Sequence, residues 1–197
     1  MSGIVRIHIE SDWQDWRTKM SRDLEVTSDA VLRKIFSDIG MPLLPGTDII
    51  ECTKDEAMSR YDWTEGIDTL LYFDNGTKAT MQEKYLDYKY STATFEERKT
   101  SGAPGAWYYC TAQYYFVAYA RKYKTHNDLT FQDWVMLDFP GLHRLDQTTE
   151  LMWFNNENGR DGRRSSFRYL YFDKIPESVV VSRYMKKPPP PVQETLF

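Results

Sequence analysis

Cysteine is scarce in this chain. Cys52 and Cys110 are its only two, with no CxxC and no nearby Cys/His pair at ligand spacing, so neither a disulfide framework nor a zinc site is indicated and reduced thiols are expected. Long apolar runs are missing too: no stretch approaches the roughly 18 residues that a spanning helix needs, and "MSGIVRIHIESDW" lacks the charged-then-apolar pattern of a leader. These features predict a soluble, cytoplasmic protein with no membrane contact. No surplus of basic residues exists, since the net charge of −4 argues against a general nucleic-acid coat. The three histidines, His8, His126 and His143, are scattered and suggest no catalytic cluster. No internal repeat occurs at solenoid periods.

What is present is aromatic residues, 15% of 197, enough for one well-packed core with strands. Charge is unevenly placed. Residues 1–76 carry 15 acidic and 8 basic groups, whereas residues 77–197 carry 14 acidic and 17 basic, so a polyanion would meet the C-terminal part. Two N-terminal helices are predicted. "SDWQDWRTKMSRDL" places Trp13, Trp16 and Met20 at helical spacing; "TSDAVLRKIFSDIGMP" begins at a Thr27 or Ser28 N-cap and stops at Gly40. "KDEAMSRYDW" reads as a third, short helix.

Thr69 to Phe73 is an apolar strand closed by "DNGT", whose Asn75-Gly76 is a hairpin signal, and Lys78 to Leu86 is the return strand. "AWYYCTAQYYFVAYA" reads as a central strand covered on both faces, with a buried helix as the alternative. Its aromatics, Trp107 to Tyr123, fit a buried strand better than a base-stacking surface. "WVMLDF", "FRYLYF" and "SVVVS" read as further strands, and "NENGRDGRRSSFR" as a loop. In that loop Arg160, Arg163, Arg164 and Arg168 are candidate phosphate contacts, with a solvated loop as the bland alternative.

A hairpin centred on Asn75-Gly76 brings Asp68 opposite the Gln82/Lys84 edge, while Glu83 points to the other face. A carboxylate, a second oxygen ligand and a lysine in that arrangement suit a hard cation and a phosphate. A second register, Asp74 with Asp87-Tyr88-Lys89, can also be drawn, but Asp74 is better explained as a turn residue.

Gly66-Ile67-Asp68, a short strand, a turn and Gln82-Glu83-Lys84 together resemble the PD-(D/E)XK nuclease superfamily, and within it the Mrr-like restriction endonucleases with "GID" and "QxK". The likeness spans about residues 50 to 90, with an amide in place of the usual second acid and Ile67 in place of the proline. It implies an α/β fold with a restriction-endonuclease-like mixed central sheet flanked by helices, spanning residues 1–187 as one domain, and hydrolysis of DNA phosphodiesters with Mg²⁺ or Mn²⁺. By position it makes Asp68, Gln82 and Lys84 catalytic. Asp68 and Gln82 would hold metal, and Glu83 would contribute a backbone carbonyl or, where the strand twists, its carboxylate. Glu51, Glu56 and Asp62 are open candidates for a further acid. The alternative is a protein that retains the fold and binds DNA or a clamp without catalysis.

Residues 188–197 differ in kind. Pro188 to Pro191 make a stiff spacer of about 12 Å at roughly 3.1 Å per residue. Behind it "QETLF", with Gln193, Leu196 and Phe197 as anchors, resembles the QxxLF peptide that docks on DNA sliding clamps, which implies such a partner.

Overall fold

The computed structural model describes residues 1–9, 16–53, 55–86, 91–120, 131–148, 151–160 and 163–185. The spacer and the peptide of residues 188–197 lie outside these, as does the Asp87-Tyr88-Lys89 register. The architecture is mixed α/β. In chain order come β1 (Ile4–Ile9), α1 (Trp16–Asp38), β2 (Thr47–Cys52), α2 (Ser59–Glu65), β3 (Thr69–Tyr72), β4 (Lys78–Leu86) and β5 (Thr92–Arg98). They are followed by α3 (Ala106–Tyr109), β6 (Tyr114–Ala120), β7 (Phe131–Asp138), α4 (Phe139–Thr148), β8 (Phe154–Arg160), β9 (Arg163–Tyr171) and β10 (Val180–Met185). Seven strands form a mixed sheet in the order β10-β7-β6-β4-β3-β1-β2, and three form a second, antiparallel sheet, β5-β9-β8. No described helix is long and apolar enough to cross a membrane.

The large sheet is covered on both faces. On one, Leu32, Ile35 and Phe36 of α1 pack on Ile4, Leu71, Met81, Phe116 and Met136. On the other, Phe95 and Leu170 of the small sheet join Trp107, Tyr115, Val117, Phe139 and Leu142. Strand β6 sits between these layers with Tyr115 to Tyr119 all buried, which explains its unbroken apolar run.

Several sequence expectations are corrected. The two N-terminal helices are one helix of 23 residues. Thr27 and Ser28 do not begin a new one, because the Ser28 hydroxyl donates back to the Glu25 carbonyl at 2.7 Å inside the helix. Its predicted stop holds: Gly40 has φ 76° and the Met41 N–H closes on the Phe36 carbonyl at 2.8 Å. The segment "AWYYCTAQYYFVAYA" divides into the short α3 and the strand β6. The glycine- and arginine-rich segment is a hairpin, β8 paired with β9 from Phe154↔Tyr169 to Arg160↔Arg163. Composition suggested a loop up to Arg168, whereas "FRYLYF", expected as a strand, forms the end of β9 with Phe167, Tyr169 and Tyr171 at the period of two that a strand requires.

Candidate active site

The Gly66-Ile67-Asp68 triplet is a helix end followed by a strand start. Gly66 has φ 61°, and a Cβ there would sit 3.0 Å from the Cβ of Cys110, so both conformation and space call for glycine. Ile67 is 2% exposed and anchors the turn, with its N–H on the Tyr61 carbonyl at 2.8 Å. Asp68 is then set between two strands, its N–H donating to Met81 O at 3.0 Å and its carbonyl accepting from Ile7 N at 2.9 Å. The β3–β4 register pairs Thr69 with Met81 and so places Asp68 across from Gln82.

Asp68 Oδ2 accepts from Gln82 Nε2 at 2.5 Å and from the Glu83 N–H at 2.9 Å. Burial first, and then the neighbouring Asp62 charge, push the Asp68 carboxyl well above the usual carboxylate range. Burial also raises Asp62, while its hydrogen bond from Asp68 and the nearby His8 and Lys99 oppose the rise. Both carboxyls are pushed up, Asp68 further than Asp62, as expected for two acids held against each other away from water. Of the three upstream acids, Asp62 is therefore the one joined to Asp68; Glu51 and Glu56 are exposed, with Glu56 Oε2 accepting from Thr53 N.

Lys84 lies two residues beyond Gln82 on the same face of β4, paired with Val117 where Gln82 pairs with Tyr115. Its Nζ donates to the Thr94 carbonyl at 3.3 Å and lies 5.5 Å from the Phe167 ring centroid. Burial pulls its pKa down to about 8, opposed by Glu96. Thus the ammonium is only modestly favoured over the amine at neutral pH.

Glu83 takes the opposite face, as its position predicted, and its carboxylate is not turned toward Asp68. Glu83 Oε2 accepts from Arg6 Nε at 3.1 Å. Arg6 is 2% exposed and also donates to Asp29 Oδ1 at 2.6 Å and Ser28 Oγ at 2.7 Å. Burial opposes the Arg6 charge, but Glu83 and Asp29 more than offset it and the guanidinium stays protonated. Tyr85 OH completes the cluster through Ser28 Oγ at 2.8 Å. The strand therefore does not twist the Glu83 carboxylate into the site; only its backbone takes part there, through the N–H on Asp68 and the carbonyl 3.4 Å from Gln82 Nε2.

Arg168 is corrected as well. It is not on a loop, and its guanidinium lies 3.7 Å from the Trp153 centroid and 4.8 Å from that of Trp107. Asp146 accepts from both of its terminal nitrogens at 3.2 and 3.3 Å. Such a guanidinium is a core element rather than a phosphate contact. Arg160, Arg163 and Arg164 are placed in strands at the hairpin end; their side chains lie outside the described residues, as do Gln193, Leu196 and Phe197.

Sequence reasoning missed Arg6, Glu96 and Lys99. Only the alternation of charged and apolar residues in "IVRIHI" could have flagged Arg6, since a cation at an inward strand position needs a buried acid.

The donors facing one another around Asp68 are all oxygen ligands once the Gln82 amide is turned. Among the described residues no group of three or more His, Cys, Asp or Glu could hold a metal ion. Two carboxylates and an amide oxygen fit Mg²⁺ or Mn²⁺, since Mg²⁺ is commonly held by one or two carboxylates and keeps several waters. Such a charge would relieve the two raised carboxyls, Asp62 and Asp68. No protein-family model, curated protein or solved structure matches the chain.

Proposed function

We propose that the chain is a metal-dependent DNA nuclease built on a restriction-endonuclease-like core. The observation that carries this reading is a buried pair of raised carboxyls, Asp68 and Asp62, with Gln82 of β4 on Asp68 at 2.5 Å and Lys84, its pKa lowered to about 8, two residues further along the same face of β4. Burial raises the framework acid Glu83 as well, but there Arg6 opposes the rise, whereas the first charge beside Asp68 is a second carboxyl that adds to it. Asp68 and Asp62, ionised, would hold Mg²⁺ or Mn²⁺ with the Gln82 amide oxygen. The cation, when bound, supplies positive charge against the phosphate and a polarised water. Gln82 and the Glu83 N–H fix the orientation of Asp68. Lys84, close to its titration midpoint, accepts the proton of the attacking water.

One observation favours a second reading, a catalytically inert DNA-binding protein. Gln82, and not an acid, stands 2.5 Å from Asp68. The deciding experiment is incubation of linear, branched and single-stranded DNA with Mg²⁺ or Mn²⁺, comparing the wild type with Gln82→Glu and Lys84→Arg. The nuclease reading expects a Gln82→Glu gain and a Lys84→Arg loss; identical absence of cleavage in all three establishes the inert reading. The C-terminal peptide extends the proposal to a sliding-clamp partner on sequence grounds. Calorimetric titration of a clamp with PPVQETLF tests it, and no heat at high micromolar concentration rejects it.

A further inference from the structure

The small sheet stands with its β5 edge against the large sheet. Tyr119 OH donates to the Thr92 carbonyl at 2.9 Å, Tyr115 OH to the Thr94 carbonyl at 3.0 Å, and Lys84 Nζ to the same Thr94 carbonyl. These donors cap an edge that would otherwise present open acceptors. One face of the small sheet is core, carrying Ala93, Phe95 and Leu170. The other face carries Phe154, Phe167, Tyr169 and Tyr171, and neither hydrophobic core among the described residues includes any of them.

Three of those four form one aromatic cluster, and Phe167 shares their face of β9 by strand alternation. Phe154 stacks on its cross-strand partner Tyr169 with centroids 5.5 Å apart, and Tyr171 meets both edge-on at 5.2 and 5.9 Å. Tyr171 is 39% exposed, and the other three are partly exposed. Cross-strand aromatic pairs stabilise a hairpin by themselves. Two further facts point outward. The same face of β9 reaches Lys84 of the candidate site, whose Nζ lies 5.5 Å from the Phe167 ring centroid. The far end of the same hairpin pairs Arg160 with Arg163 and Gly159 with Arg164, so three arginine positions fall at one end of it.

We propose that the Phe154–Phe167–Tyr169–Tyr171 face is a stacking platform for unpaired nucleobases, so that the site acts on DNA with a single-stranded segment beside the scissile phosphate. Every base offers a π-face, so such a platform holds single strands without reading sequence, while a duplex keeps its bases stacked internally. This deepens the nuclease reading and rests on it for the identity of the polymer.

The test separates binding from cleavage. Fluorescence anisotropy in EDTA compares a labelled 20-nucleotide thymidine strand with a 20-base-pair duplex, for the wild type, Asp68→Asn, Tyr169→Phe and the double variant Phe154→Leu with Tyr169→Leu. The single strand should bind at least about tenfold tighter than the duplex, and the double variant should lose about ten- to a hundredfold with an unchanged salt slope. Tyr169→Phe and Asp68→Asn should bind as the wild type does. Equal affinity for both DNAs, or undiminished binding by the double variant, overturns the platform even where Mg²⁺-dependent cleavage persists. Selective strand binding without any cleavage leaves the platform standing and ends the nuclease reading. A wild-type dimer in sedimentation that Tyr171→Glu dissolves assigns the face to a second copy and overturns the proposal.

Discussion

On one face of β4, Glu83 and Tyr85 meet groups that satisfy them: a guanidinium and, through Ser28, a hydroxyl network. On the other, Asp68 meets a second carboxyl and Lys84 meets a carbonyl and an aromatic ring. Both sets are removed from bulk water by the same layered packing. The first is an ion cluster whose charges are mutually compensated, which is how buried charge persists. Burial disfavours the charged forms on both sides, but Glu83 has Arg6 to oppose the rise, whereas Asp68 has a second carboxyl beside it that adds to the rise. Groups perturbed in this way cluster at functional sites, so the proposed division of this strand into framework and site rests on that contrast.

The largest effect that tests this contrast is at Asp68. Asp68→Asn should lower metal-dependent cleavage by about a thousandfold or more, since each 1.36 kcal/mol of barrier is tenfold. The same change should raise the melting temperature in EDTA. The sign follows from the raised folded pKa: the unfolded carboxyl ionises near 3.9 while the folded one still holds its proton, so wild-type stability falls as pH rises through that window. The thermal advantage of Asp68→Asn should thus be absent near pH 4 and grow toward neutrality, and Mg²⁺ should stabilise only the wild type. A variant less stable than the wild type at pH 7 in EDTA would place Asp68 with the satisfied framework.

Across the strand the opposite outcome is expected. Arg6→Met leaves Glu83, Asp29 and Glu25 without their cation, and removing one partner from a buried pair destabilises by about 3–5 kcal/mol. Adding Glu83→Leu should recover most of that loss in urea unfolding, because two apolar side chains no longer need each other's charge. A double variant as unstable as Arg6→Met alone would mean that Asp29 and Glu25, and not Glu83, set the penalty.

The hairpin half of this contrast was legible in the sequence. Asn75-Gly76 specifies the turn, the turn fixes the register, and period-two alternation then sends Gln82 and Lys84 to one face and Glu83 to the other. Even the glycine of the triplet carries its own reason in the αL end of α2. The Arg6 cluster was not legible, because it joins β1, α1 and β4 over 77 positions of sequence separation and no local pattern records such a pairing. Strand β8 and the start of β9 were hidden by composition, since glycine and arginine suggested a loop, whereas the end of β9 was legible as the strand "FRYLYF" from its alternating aromatics. Arg168 was drawn into the wrong group for the same reason, since proximity in sequence to Arg163 and Arg164 says nothing about which face of a strand it occupies.

A smaller effect concerns Lys84, and pH reads it. With a pKa of about 8, the amine that accepts a proton is a minor species at pH 7 and the major one at pH 9. Cleavage should rise about tenfold across that interval and then level, as for a general base. A rate that instead falls through pH 8 would assign Lys84 the work of a cation. Lys84→Arg, charged throughout, should abolish the rise along with most of the activity.

The smallest effect should come from Arg168→Lys, on the packed face of the small sheet. Two indoles and the Asp146 carboxylate hold the planar guanidinium, and an ammonium keeps the charge while losing the fork and the flat stacking surface. A loss of about 1–2 kcal/mol in urea unfolding is expected. DNA affinity should be unaltered, with the same salt slope, because this arginine is turned into the core while the aromatic face lies on the other side of β9. A slope reduced by about one phosphate contact would show that Arg168 reaches the backbone after all, and the two faces of the small sheet would then no longer divide into support and surface.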